Sequence, residues 1–254
     1  MTLHPFLDTA LPIAFAHRGG ASDEPENTMP AFQRAISMGY RYLETDVHAT
    51  KDGVLLAFHD NNLQRTCGVN GRISEMNYDE VSQARVAGTE RIPLMAELFT
   101  AWPQARFNID CKADGAVQPL IALLANTNSL DRVCVGSFSD SRLQQLRTHF
   151  GDALCSSMGP KEVARLRLRS WLRQRPQFPG VQAVQVPFKQ GPLTITDRGL
   201  VEAAHDVGLQ VHVWTIDEPS EMNELLDIGV DGVMTDRLAV LREVLESRGL
   251  WNNS

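Results

Sequence analysis

Short apolar runs rich in β-branched residues alternate with longer helix-patterned stretches along nearly the whole chain. This alternation constrains the fold more than any other feature of the sequence. Runs at 13–17, 42–47, 54–59, 107–112, 133–138, 153–157, 183–187, 209–216 and 232–235 read as strands. Several are apolar throughout, as strands covered on both faces are. Helical patterns fall between them at 27–38, 94–102, 116–126, 140–150, 161–175, 196–207, 219–227 and 237–248. Thr28 and Pro30 supply a cap and an early proline for the first helix. Repeated βα units put parallel strands into one sheet, and eight of them in about 250 residues fit an α/β chain closed as a (β/α)8 TIM barrel. An open doubly wound sheet would place a glycine fingerprint after its first strand. Here that strand runs into His17, Arg18, Gly19 and Gly20.

The stretch 60–92 breaks the rhythm. It is polar, contains glycines and holds one short helical pattern at 78–85, so it reads as an insertion at the barrel mouth. No low-complexity linker divides the 254 residues, which predicts a single domain with the barrel over about 13–248. Lys and Arg total 24 against 31 Asp and Glu, and a formal charge of −7 excludes a general nucleic-acid binder. No apolar run approaches the roughly 20 residues of a membrane span, so no stable membrane insertion is expected. The opening residues lack a signal-peptide core, which predicts a cytoplasmic protein. The four cysteines are scattered with no CxxC pair, which excludes a zinc ribbon.

Strand periodicity sorts the polar side chains. Over 42–48, Glu44, Asp46 and His48 share one face with Tyr42. Two carboxylates inside a barrel need a cation, either a metal ion or an Arg or Lys. Over 107–112, Asn108, Asp110 and Lys112 share a face. Asp110 is then a third oxygen donor. Lys112 is a positive group for an anion, or the partner of Asp110 or Glu44. Three carboxylates without nearby thiols select Mg²⁺ or Ca²⁺ over zinc. His17 and His59 both close strand patterns, where barrel enzymes place their chemistry. An imidazole with a reference pKa of about 6.5 serves as acid or base. Arg18, beside two glycines, suits a phosphate or carboxylate. His48 and His212 are expected to support the site, and His149 and His205 to lie on helices away from it. The six basic residues of 161–175 read as a solvated helix face or as a surface for an anionic partner.

Taken together, AFAHRGG, EPENTMPAFQRAISMG, LETDVHATKDGVLLAFHDNNLQRTCG, NIDCK, VWTID and GVDGVMTD resemble the glycerophosphodiester phosphodiesterase family. The resemblance runs from Ile13 to Asp236. It implies a (β/α)8 barrel with an insertion after the second strand region. The implied reaction is hydrolysis of a small-molecule glycerophosphodiester to glycerol-3-phosphate and an alcohol. It implies that His17 and His59 are the acid and base and that Glu44 and Asp46 ligate a divalent metal. It also implies that Arg18 and Lys112 face the phosphate and that Trp214 contacts the alcohol at the mouth. Asp110 stands where the family has a metal-binding Glu; it is one methylene shorter and still a hard oxygen donor. Asn27 lies in the family's ENT turn, as a site residue or a helix cap. Two alternatives stay open. One is a related phosphodiesterase acting on lysophospholipids, for which Phe138, Met158, Phe188 and Trp214, at or near strand ends, either line an apolar mouth or fill the core. The other is a catalytically silent barrel that binds a phosphodiester.

Overall fold

The computed structural model describes residues 3–171 and 176–251. Eight parallel strands curl into a nearly closed barrel: β1 Ile13–Ala16, β2 Tyr42–Ala49, β3 Arg106–Cys111, β4 Val133–Gly136, β5 Cys155–Ser156, β6 Ala183–Pro187, β7 Gln210–Trp214 and β8 Gly232–Thr235. Each strand pairs with its neighbours in chain order, β8 lies beside β1, and a bridge between Ser157 and Ala183 joins β5 to β6. The helices between them are α1 Met29–Ser37, α2 Met95–Ala101, α3 Val117–Thr127, α4 Asp140–Phe150, α5 Pro160–Trp171, α6 Arg198–His205, α7 Pro219–Ile228 and α8 Leu238–Ser247. Local sequence sets their ends. The Thr28 hydroxyl accepts from Ala31 N to cap α1, and Asp197 accepts from Leu200 N to cap α6.

Alternation along the strands builds two cores. Outward side chains such as Leu43, Phe107, Ile109 and Val211 are buried against Phe32, Leu98, Leu120 and Leu241 of the helices. Each such side chain contributes roughly 1.5–3 kcal/mol on burial. Inward side chains Ile13, Phe15, Tyr42, Cys134, Cys155 and Met234 fill the lower barrel, and Phe6 and Leu7 join them from the N-terminal segment. Tyr42 Oη donates to the Phe6 carbonyl at 2.7 Å. Gly232 lets the Phe15 and His212 rings approach to 4.9 Å between centroids; a Cβ there would sit 2.7 and 2.9 Å from their carbons.

The insertion is larger than 60–92. It leaves the sheet after Ala49 and returns at α2. The run expected at 54–59 is the arm Leu55–Ala57 of a hairpin, paired antiparallel to β2. The Asp52–Gly53 turn, with Gly53 at φ 84°, reverses the chain there. Short helices Gln64–Cys67 and Tyr78–Val81 then close over Leu56, Phe58, Leu63, Ile73 and Val81 as a small separate core. A second exposed hairpin, Lys189–Gln190 with Leu193–Thr194, was not marked in the sequence and follows β6. Of the helix expected over 161–175, positions 172–175 lie outside the described residues. No helix among the described residues is long and apolar enough to cross a membrane.

Candidate active site

Inward positions of the strands converge at the C-terminal mouth of the barrel. Beyond Phe15, the chain turns through one 3-10 turn, His17–Gly19, with Arg18 at φ 50°, Gly19 at 83° and Gly20 at 92°. Gly19 also passes so close to α1 that a Cβ would meet the Ala31 Cβ at 2.8 Å. The turn aims the Arg18 backbone N–H at Glu44 Oε2, 3.0 Å away. It leaves His17 Nδ1 2.7 Å from Asp236 Oδ1, immediately after β8. An ionised carboxylate only accepts, so it fixes the proton on Nδ1 and leaves Nε2, 3.8 Å from Glu44, for chemistry. Burial pulls the His17 pKa down, but the Glu44 and Asp236 carboxylates outweigh it, and the result lies above 6.5.

His59 is built the same way from the other side. The β2 hairpin brings it back over the mouth, two residues past the antiparallel arm rather than at the end of a barrel strand. Its Nδ1 lies 2.6 Å from Asp60 Oδ1, and its backbone carbonyl lies 3.0 Å from His48 Nε2. His48 therefore supports the site, as expected, by holding the His59 main chain.

The carboxylates face inward from β2 and β3, where Asp46 and Asp110 are register partners. Burial, with Asp46 adding to it, pushes the Glu44 carboxyl up to about 7. Asp46 is also penalised by burial, yet Lys112 and Arg18 hold it below the usual carboxylate range. Lys112 Nζ bridges Asp110 Oδ2 at 2.6 Å and Asp46 Oδ1 at 3.0 Å. Arg18 Nε lies 3.3 Å from Asp46 Oδ2. The ammonium is thus the counter-charge of Asp110, one of the two partners the strand pattern leaves open, and of Asp46 rather than Glu44. Among the described residues no three His, Cys, Asp or Glu side chains already converge as a metal cage. Two features nonetheless fit a hard cation. Asp110 Oδ1 is buried without a hydrogen-bond partner, and buried Glu44 and Asp46 with half-buried Asp110 outnumber the two side-chain cations Arg18 and Lys112.

Asn27 hydrogen-bonds Asp46, and Thr28 rather than Asn27 is the helix cap. Asn27, at φ 55°, donates to Asp46 Oδ2 at 3.2 Å and accepts from Thr45 Oγ1 at 2.7 Å. A cavity of about 700 Å³ opens over the site. Its polar end is lined by His17, Arg18, Glu44, Asp46, His59 and Lys112, with Asp110 beside them. Away from them the lining is mostly apolar, with Met158, Val163, Ala164, Val186, Ile195 and Leu200, and also carries Arg167, Lys189 and Gln190. Half-buried Trp214 stands between, edge-on to Phe138 with ring centroids 5.7 Å apart. Of the four residues read as mouth or core, Phe188 is buried in the outer core. The floor is a polar chain in which Gln185 donates to Asn108 Oδ1 at 2.7 Å and meets His212 Nδ1 at 3.3 Å. His205 lies apart, paired with Asp231 at 2.7 Å.

All eight residues singled out for the site therefore meet in one cavity. Asp236, Asp60 and Gln185 were not singled out. Asp236 follows a strand directly, the same signal that marked His17. Asp60 adjoins His59, and Gln185 sits on the inward face of β6.

Residues 17–240 match the glycerophosphoryl diester phosphodiesterase family. The chain is 38% identical over 252 residues to a Mycobacterium tuberculosis protein named probable glycerophosphodiester phosphodiesterase 2, covering 95% of this chain and 94% of that one. It is 30% identical over 268 residues to human lysophospholipase D GDPD1, covering 91% and 85%. Among solved structures, an Oleispira antarctica phosphodiesterase in complex with the product sn-glycerol-3-phosphate superposes with a TM-score of 0.76 at 22% identity, covering 93% and 97%. A glycerophosphodiester phosphodiesterase from Agrobacterium tumefaciens superposes with a TM-score of 0.76 at 21% identity, covering 93% and 100%. The chain belongs to the glycerophosphoryl diester phosphodiesterase family and is an enzyme of that class, a phosphoric diester hydrolase on a (β/α)8 barrel.

Proposed function

We propose that the enzyme hydrolyses glycerophosphodiesters to glycerol-3-phosphate and an alcohol by metal-assisted acid–base catalysis between His17 and His59. The observation that carries this reading is the pair of histidines. Each has a carboxylate on Nδ1, Asp236 at 2.7 Å and Asp60 at 2.6 Å, and both line the cavity that holds Glu44, Asp46 and Asp110. A divalent ion, Mg²⁺ or Ca²⁺, held by those three carboxylates would supply Lewis-acid polarisation of a phosphate oxygen. Arg18 and Lys112 neutralise the other phosphate oxygens as charge grows on them. One histidine takes the proton of the nucleophile, and the other gives a proton to the departing alkoxide as its bond to phosphorus breaks. The nucleophile is water or the adjacent glycerol hydroxyl; the latter's high effective molarity favours expulsion of the alcohol with formation of a cyclic phosphate, which water then opens at the 2-oxygen to glycerol-3-phosphate. Four free thiols, three of them buried, support a reducing, cytoplasmic setting.

The test is turnover of glycerophosphocholine by His17→Ala and His59→Ala. Each variant is expected to lose about 10²-fold or more while melting like the parent. Near-parental turnover in both sinks the acid–base assignment. The apolar end of the cavity favours a second reading, acceptance of lysophospholipids, whose acyl chain needs such a lining. Comparable kcat/KM on lysophosphatidylcholine and glycerophosphocholine would support it, and strict preference for the latter would remove it.

A further inference from the structure

One side chain of the insertion touches both sides of the site. Arg65 lies in the short helix Gln64–Cys67. Its Nη1 and Nη2 each lie 2.7 Å from an oxygen of Glu26. Its Nε and Nη2 lie 2.7 and 3.0 Å from the two oxygens of Asp60. Both contacts are bidentate forks, a geometry that fixes the partner's plane as well as its distance. Asp60 in turn holds His59 Nδ1 at 2.6 Å. Glu26 in turn accepts from Arg18 Nη1 at 3.0 Å, and Arg18 Nε lies against Asp46. A continuous chain of hydrogen bonds therefore runs from His59, through Asp60, Arg65 and Glu26, to Arg18.

The Arg65 side chain is 48% exposed, so water and salt screen its pairs, and their bidentate geometry is what keeps them in register. That geometry spans two parts of the chain. His59 comes from the insertion, which has its own small core, whereas Arg18 comes from the β1 turn of the barrel. Backbone pairing of the hairpin with β2 sets where the His59 main chain lies, but not its ring plane. The ring is held by Asp60, and Asp60 is held by Arg65, which also keeps that carboxylate ionised by holding its pKa near 2 through hydrogen bonding. An ionised Asp60 can only accept, so the His59 proton stays on Nδ1.

We propose that Arg65 is a positioning residue: by fixing Asp60 it fixes the ring of His59, and by fixing Glu26 it fixes the guanidinium of Arg18. The insertion and the barrel turn are thereby set at one spacing around the substrate phosphate. The inference rests on the proposed role of His59. Arg65 does not touch the reacting atoms.

The test is a double-mutant cycle on glycerophosphocholine with Arg65→Ala, Arg65→Lys, His59→Ala and the double variant His59→Ala/Arg65→Ala, with Glu26→Gln measured alongside. Loss of positioning is expected to lower kcat of Arg65→Ala by about 10–100-fold, the cost of an ångström-scale misplacement. Arg65→Lys keeps the charge without the forks and recovers only part of the loss. In the His59→Ala background the further loss of kcat on removing Arg65 should shrink to within about 3-fold, because the ring it positions is gone. Glu26→Gln breaks the Arg18 pair and one fork of Arg65 while the Arg65–Asp60 fork remains, and is expected to lower kcat less than Arg65→Ala does. An equal fold-loss from Arg65→Ala in both backgrounds marks a purely structural role and overturns the inference. So does an Arg65→Ala variant with parental kinetics. Near-parental turnover by His59→Ala instead removes the histidine's role itself, and the inference falls with it. The two failures are thus told apart by the single variants.

Discussion

Lowering the pH from 7 to 4 is expected to cost this barrel about 3 kcal/mol of stability through His212 alone. His212 is fully buried on β7 beneath the active-site cavity. Its Nδ1 lies 3.3 Å from the Gln185 amide nitrogen and its Nε2 3.2 Å from Gln210 Oε1. Only a neutral ring, accepting at Nδ1 and donating from Nε2, satisfies both neighbours. Burial pulls its pKa down to about 4, with only a partial opposing effect from Asp231. In the unfolded chain the value returns to about 6.5. Protonation therefore favours unfolding. The contribution is intact above pH 6.5, is lost as the pH falls from 6.5 through 4, and is flat below. The gap of about 2.5 units at 1.36 kcal/mol each gives about 3 kcal/mol in full, and about 2 kcal/mol by pH 5. Urea unfolding at pH 7, 6 and 5, run on the parent and on His212→Gln, isolates the effect, since other titrating groups are common to both. The variant should lose about 2 kcal/mol less than the parent between pH 7 and 5. Equal pH slopes would refute the assignment of a neutral, trapped ring.

Asp236→Asn should leave folding intact but lower kcat by at least about 10²-fold, because an amide can no longer enforce the Nδ1–H tautomer of His17; kcat and melting temperature measured together check this. Asp110→Ala should raise the concentration of divalent ion needed for half-maximal activity by at least about 10-fold, and Asp110→Glu should restore it, as a metal titration of both variants would show. Gly232→Ala forces a methyl group against Phe15 and His212 and should cost about 1–3 kcal/mol, read from urea unfolding.

Much of the site is legible in the sequence because inward and outward positions alternate along strands. That rule alone groups Glu44, Asp46, Asp110 and Lys112, and the end-of-strand rule adds His17. It does not reveal partners that meet only on folding. Asp236 lies 219 residues from His17 in sequence, and no local pattern pairs them. The Arg65–Glu26 contact likewise joins an insertion to a barrel turn. The strand 54–59 has the apolar content of a barrel strand, but the Asp52–Gly53 turn makes it a hairpin arm, and turn chemistry outranked the apolar pattern there. Phe6 and Leu7 are short of any periodic element, so their place at the barrel bottom comes from tertiary packing alone.

The proposed metal assistance is read from release of glycerol-3-phosphate from glycerophosphocholine, measured with EDTA and then with Mg²⁺ or Ca²⁺ added back. EDTA is expected to abolish release, and one of the two ions to restore it. Undiminished release in EDTA would contradict the metal role of Glu44, Asp46 and Asp110 and leave the phosphate charge to Lys112 and Arg18.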